Sequence, residues 1–142
     1  MDAELRRAVR TLALASRGLE RVAAPLTLPQ YRVLGFIVAA PERASRLAAQ
    51  VDVTKATLTG VIDALESHGW IVREVVAGDR RGVSLAVTDE GIKALETADA
   101  RMAEWLTGLL GPEDTEDEVV AAICRLGDAM AAHRDRVSGL AT

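Results

Sequence analysis

Cys124, His68 and His133 are the side chains in this sequence best suited to ligate a metal, and Cys124, Ser45, Ser67 and Ser84 are its candidate nucleophiles. One cysteine and two distant histidines do not assemble a dedicated zinc cage. None of the four nucleophiles belongs to a motif that places an activating base beside it, and no glycine loop of the phosphate-cradling type occurs. The sequence therefore predicts no enzyme, no metal and no cofactor. The paired guanidinium groups of Arg80 and Arg81, set between Gly78 and Gly82, point instead to binding chemistry. Such a tip is also what an ordinary solvated hairpin turn looks like.

The elements that position these residues follow from periodicity. Leu5, Val9, Leu12, Ser16, Leu19 and Val22/Ala23 make one apolar stripe on a helix from Asp2 to about Ala24, whose other face carries arginines. Thr27-Leu28-Pro29-Gln30 is a helix-start signature, with a threonine cap, a first-turn proline and a glutamine three residues on, and that helix runs to about Ala39. Pro41 interrupts it. Ser45–Gln50 then reads as a short helix and Val51-Asp52-Val53 as a tight turn. A longer helix, Thr54 to about His68, turns Leu58, Val61/Ile62 and Leu65 inward and Lys55, Ala56, Thr59, Gly60 and Asp63 outward, until Gly69 stops it. Two β-branched runs, Trp70–Val76 and Val83–Val87, are joined by Ala77–Gly82 as a hairpin with a basic tip.

Thr88 caps a further helix whose Leu95, Ala98, Met102, Trp105 and Leu109 repeat at three and four, broken near Gly111-Pro112. Thr115-Glu116-Asp117-Glu118 opens the last helix as a capping box, with Val119, Ile123, Leu126, Met130, His133 and Val137 on one seam. The terminal helices have few partners within one chain, so they are expected to form a dimer interface.

With 142 residues, about half of them apolar, one domain is expected. No run of eighteen uncharged apolar residues occurs, and the start Met1-Asp2-Ala3-Glu4 has no apolar signal core behind it, so the expectation is a cytoplasmic protein with no membrane partner. The net charge of −4 argues against a generally basic nucleic-acid binder, but Glu113, Asp114, Glu116, Asp117 and Glu118 supply most of the excess acid. Carboxylates are favoured in the first turn of a helix, which accounts for that run.

A short helix, a tight turn and a second helix with a small polar outer face form the geometry that lays the second helix in a major groove. The hairpin adds a wing. At this point the chain resembles the MarR family (multiple antibiotic resistance regulators), through Leu28-Pro29-Gln30-Tyr31-Arg32-Val33-Leu34, Leu47-Ala48, Leu65-Glu66-Ser67-His68-Gly69-Trp70, Asp79-Arg80-Arg81 and Leu85-Ala86-Val87-Thr88-Asp89-Glu90-Gly91.

The resemblance implies a mainly α fold with a β-hairpin wing, in which 27–88 is the winged helix-turn-helix part and 1–24 and 89–142 are dimerisation helices of a single domain spanning 1–142. It implies a homodimeric regulator, a repressor, that binds a pseudo-palindromic operator in double-stranded DNA and is released by a small ligand. The alternative is a winged helix that serves protein interactions without specific DNA binding.

Residue by residue, Thr54, Lys55, Thr57 and Thr59 match the start of the family's recognition helix, where hydroxyls and a cation reach phosphates or base edges. On an isolated helix the same residues would be a solvated face. Arg80, with Arg81 beside it, matches the wing arginine that enters the minor groove, and Asp79 would hold the wing in shape. Asp63 is expected to pair with Arg80 or Arg81 and orient the tip. Gly60 departs from the family, whose members commonly carry arginine there.

A ligand pocket is implied between the first helix, the helix of Tyr31 and Phe36, and the helix of Trp105. Arg10, Arg17 or Arg32 would bind an anionic aromatic molecule there. The family's sensing cysteines lie in the first helix, so Cys124 is assigned to core or interface filling. His68 reads as a C-terminal helix residue and His133 as part of the interface seam.

Overall fold

The computed structural model describes residues 2–40, 47, 53–75, 83–111 and 115–139. Five helices and one hairpin occur among them: α1 (Ala3–Ala23), α2 (Leu28–Ala39), α3 (Lys55–Ser67), β1 (Ile71–Val75), β2 (Val83–Val87), α4 (Asp89–Leu110) and α5 (Thr115–Gly139). The expected architecture, mainly helical with a small antiparallel hairpin, is the observed one. By internal contacts the chain divides into two compact units, 1–103 and 104–142, with the boundary inside α4. Among the described residues no single helix is long and apolar enough to cross a membrane.

Local chemistry sets the helix ends. The Asp2 carboxylate accepts from the Glu4 N–H and caps α1. Thr27 and Gln30 form the reciprocal capping box at α2: the Gln30 N–H donates to Thr27 Oγ1, and the Thr27 N–H donates to Gln30 Oε1. Thr54 caps α3 by accepting from the Thr57 N–H. At the other end of α3, Trp70 N–H donates to the Leu65 carbonyl and Gly69 N–H to Glu66, with Gly69 at φ 74°. These two bonds make a Schellman motif, and they take Trp70 out of the strand, which starts at Ile71 instead. Gly111 ends α4 in the same left-handed region, at φ 71°.

The core of the first unit is built from Leu26, Val33, Leu34 and Ile37 around α2, together with Leu47, Leu65, Ile71, Leu85 and Ala98. Leu47 is helical and fully buried; the rest of the expected helix Ser45–Gln50 and the turn after it lie outside the described residues. The hairpin pairs Ile71 with Val87, Arg73 with Leu85 and Val75 with Val83. At its root, Thr88 N–H donates to the Trp70 carbonyl, and Thr88 Oγ1 donates to the Gly69 carbonyl at 2.6 Å while accepting from Gly91 N–H at 3.1 Å. One threonine thus ties the end of α3, the start of β1 and the first turn of α4.

α1 packs in its own unit only through its C-terminal part, with Leu19 and Val22 half-buried and Ala23 buried. Leu5, Val9 and Leu12 remain 54–56% exposed. In the second unit, α5 leaves Ile123, Leu126, Met130 and Val137 exposed. The N-terminal part of the α1 stripe and most of the α5 seam are therefore exposed.

Candidate nucleic-acid interface

The outer face of α3 is a run of exposed residues, Thr54, Lys55, Ala56, Thr57, Thr59, Gly60 and Asp63, while Leu58, Val61 and Ile62 are half-buried and Leu65 is sealed in the core. This is the division expected from its 3.6-residue period. All three threonine hydroxyls are already engaged within the helix and its cap. Thr54 Oγ1 lies 2.9 Å from Thr57 Oγ1, and Thr59 Oγ1 donates to the Lys55 carbonyl at 2.9 Å. Lys55 is the exposed cation of the first turn, where the helix macrodipole also favours an anion. A Cβ built at Gly60 meets nothing within 4 Å, so no packing demand explains glycine there.

Asp63 is held by a residue outside the expected site. Arg73 of β1 reaches back to α3 and forks across two carboxylates, with Nη2 2.6 Å from Asp63 Oδ1 and Nε 2.7 Å from Glu66 Oε2. The expected pairing of Asp63 with Arg80 or Arg81 lies outside the described residues, as do Asp79, Arg80 and Arg81 themselves. Each bridge is about half exposed, so its contribution to stability is small, about 0–1 kcal/mol. Its effect is positional, because it fixes the root of the hairpin against the outer face of α3. The signal was present in the sequence: Asp63 and Glu66 are three apart on one helix face, and Arg73 stands two residues beyond the buried Ile71, on the same side of the strand. His68 was read only as a helix end, yet its ring stacks on Trp70 with centroids 4.3 Å apart.

The residues expected around a ligand belong to three helices. Tyr31 and Phe36 are half-buried against the core, and Arg32 is exposed. Arg10 and Arg17 are exposed and, at about 100° per residue, lie on the side of α1 away from Leu19 and Ala23. Trp105 is half-buried and belongs to the second unit. Tyr31 has a partner 68 positions away, its hydroxyl donating to Asp99 Oδ1 at 2.5 Å.

Burial, then the hydrogen bond to Asp99 and then the charge of Asp99 push the Tyr31 phenol up to about 12. The folded chain therefore favours the neutral phenol more than the unfolded chain does. The resulting stabilisation is complete below the unfolded value of about 10 and is lost as pH rises through about 12. Tyr31→Phe should cost about 1 kcal/mol at neutral pH and should remove this alkaline loss, as measured by urea unfolding of both proteins across that range. An equal alkaline loss in the variant would assign the effect to other groups.

Among the described residues no cluster of three or more His, Cys, Asp or Glu side chains could hold a metal ion. Cys124 is exposed on α5.

Residues 24–82, which contain the capping box of α2, the outer face of α3 and strand β1, match the model of the MarR family. That segment belongs to the MarR family. The chain is similar to the HTH-type transcriptional regulator PecS of Dickeya dadantii, at 31% identity over 74 residues, 52% of this chain and 45% of PecS. The match thus spans less than half of that relative's length. Among solved structures, the transcriptional repressor CouR, from Rhodococcus jostii RHA1, bound to a 23-mer DNA duplex, superposes with a TM-score of 0.66 at 27% identity. The alignment covers 85% of this chain and 89% of that one. PcaV of Streptomyces coelicolor, solved with its natural ligand, gives 0.60 at 27% identity over 89% of this chain and 90% of that one. The likeness in fold to these solved regulators thus extends beyond the matched segment to most of the chain.

Proposed function

We propose that this chain is a transcriptional repressor that binds a pseudo-palindromic operator in double-stranded DNA as a homodimer. The observation that carries the reading is α3: a helix capped by Thr54, anchored by Leu65 and braced by Arg73, with an outer face of small residues and one free-standing cation, Lys55. Such a face fits a major groove without steric conflict, and Lys55 supplies charge to a phosphate or a base edge. The exposed parts of the α1 and α5 stripes are the apolar surface that a second copy would bury. The solved complex of CouR with a DNA duplex supports the assignment by likeness.

Release by a small ligand is part of the proposal. Arg32 and Phe36 lie four apart on α2 and so share a face, which offers an anionic aromatic molecule a guanidinium and an apolar wall. The Asp99 carboxylate at Tyr31 would repel the anionic end of that molecule, which supports Arg32 as its partner in this reading.

The test is binding of the purified chain to the DNA upstream of its own gene and to a scrambled fragment of equal length, over a range of salt. Wild type should prefer its own fragment. Lys55→Ala and Arg80→Ala should each weaken binding and each reduce the salt slope by about 1. Equal binding to both fragments, unchanged by either substitution, would favour the protein-interaction reading.

A further inference from the structure

The side of α1 opposite its apolar stripe is a row of arginines. At about 100° per residue, Arg6, Arg10, Arg17 and Arg21 fall within an arc of about 60° and span about 22 Å of the axis, with Arg7 on the flank. All five are exposed, and none forms an ion pair among the described residues. The helix holds five arginines against Glu4 and Glu20, a net +3, within a chain of net −4. Arg6 with Arg10, and Arg17 with Arg21, are like charges four apart, an arrangement that weakens a helix. A merely solvated helix face ordinarily interleaves opposite charges. Because α1 packs through Leu19, Val22 and Ala23 on its other side, the row stays open even if a second copy covers Leu5, Val9 and Leu12.

We propose that this arginine row is a second nucleic-acid surface that grips the sugar-phosphate backbone without reading sequence, separate from α3. Guanidinium groups donate in a fork that matches phosphate oxygens. A duplex offers one charge per about 1.7 Å of its axis, so a straight row of this length always faces phosphates in any register. A lipid surface fits less well, since it would draw in the apolar side of α1 and leave the arginines pointing away.

The experiment uses the full chain and a random-sequence duplex of about 30 bp, with affinity followed from roughly 50 to 200 mM salt. Replacing Arg6, Arg10, Arg17 and Arg21 together by glutamine keeps good helix formers in place. This variant should bind at least tenfold more weakly at the low-salt end, with a salt slope shallower by about 3 to 4. The matching fourfold lysine variant should keep the slope. Should the glutamine variant fail the check of helicity by circular dichroism, the double variant Arg10→Gln with Arg17→Gln decides the matter, with half the change expected.

Wild-type slope and affinity in the glutamine variants would overturn the proposal. So would a loss confined to vesicles of anionic phospholipid with duplex binding intact. Lys55→Ala separates the two readings. A slope shallower by about 1 on operator and random duplex alike is the α3 contribution, whereas the further 3 to 4 lost only in the arginine variants is that of α1.

Discussion

Leu65→Ala should lower the free energy of unfolding by about 2–5 kcal/mol, a large share of the 5–15 kcal/mol typical of a domain. Leu65 is fully buried and is the one residue of α3 sealed completely in the core, beside Leu34, Ile37 and Ile71. Its carbonyl also receives the Trp70 N–H that turns the chain into β1. Truncation removes apolar contact and leaves a cavity that the well-packed neighbours fill only in part. Leu58, half-buried on the same helix, should lose markedly less when truncated in the same way. Urea unfolding of the two variants measures the difference, and equal losses would mean that α3 is not anchored where the core places it. The anchored helix is also the one that carries Lys55, so Leu65→Ala should weaken DNA binding beyond what the unfolded fraction explains.

Gly91→Ala is the second large effect. In the interior of an open helix this exchange stabilises by up to about 1 kcal/mol. Here the added Cβ would come 2.2 Å from the Trp70 carbonyl oxygen and 2.8 Å from Val87 Cγ1. The first obstacle is backbone and cannot swing away. Overpacking of this kind costs about 1–3 kcal/mol, and more where backbone has to move. The expected result is a clear fall in thermal midpoint for Gly91→Ala against no fall, or a small rise, for Gly108→Ala, where a Cβ meets nothing within 4 Å. If both variants gain stability, the close approach of α4 to the hairpin root is not as described.

What the sequence disclosed and what it hid divide along range. Thr27 with Gln30, Thr54, Gly69 and Gly111 act within one turn of chain, where the caps and the left-handed glycines are decided by near neighbours. Each was legible from the residues alone. The inward face of α3 was legible too, because burial follows the helical period. Interactions between elements were not. Asp63 is braced by Arg73, a pairing that the spacing of Asp63, Glu66 and Arg73 permits but that only the packing of β1 against α3 decides, while Arg80 and Arg81, its expected partners, lie outside the described residues. Asp99 escaped notice because the hydrogen bond to Tyr31 links helices far apart in sequence. The period of α1 and α5 groups their apolar residues on one side, but what covers those residues is not written in a single chain.

Thr88 carries a consequence for how this chain can vary. A single oxygen there gives its proton to the Gly69 carbonyl and takes one from the Gly91 amide. A carboxylate could accept but not give, an ammonium could give but not accept, and a carboxamide divides the two roles between atoms about 2 Å apart. Valine copies the shape of threonine and does neither. Position 88 is therefore restricted to the two small hydroxyl side chains, and drift in this sequence is blocked there by a proton count, with neither size nor hydrophobicity as the limit.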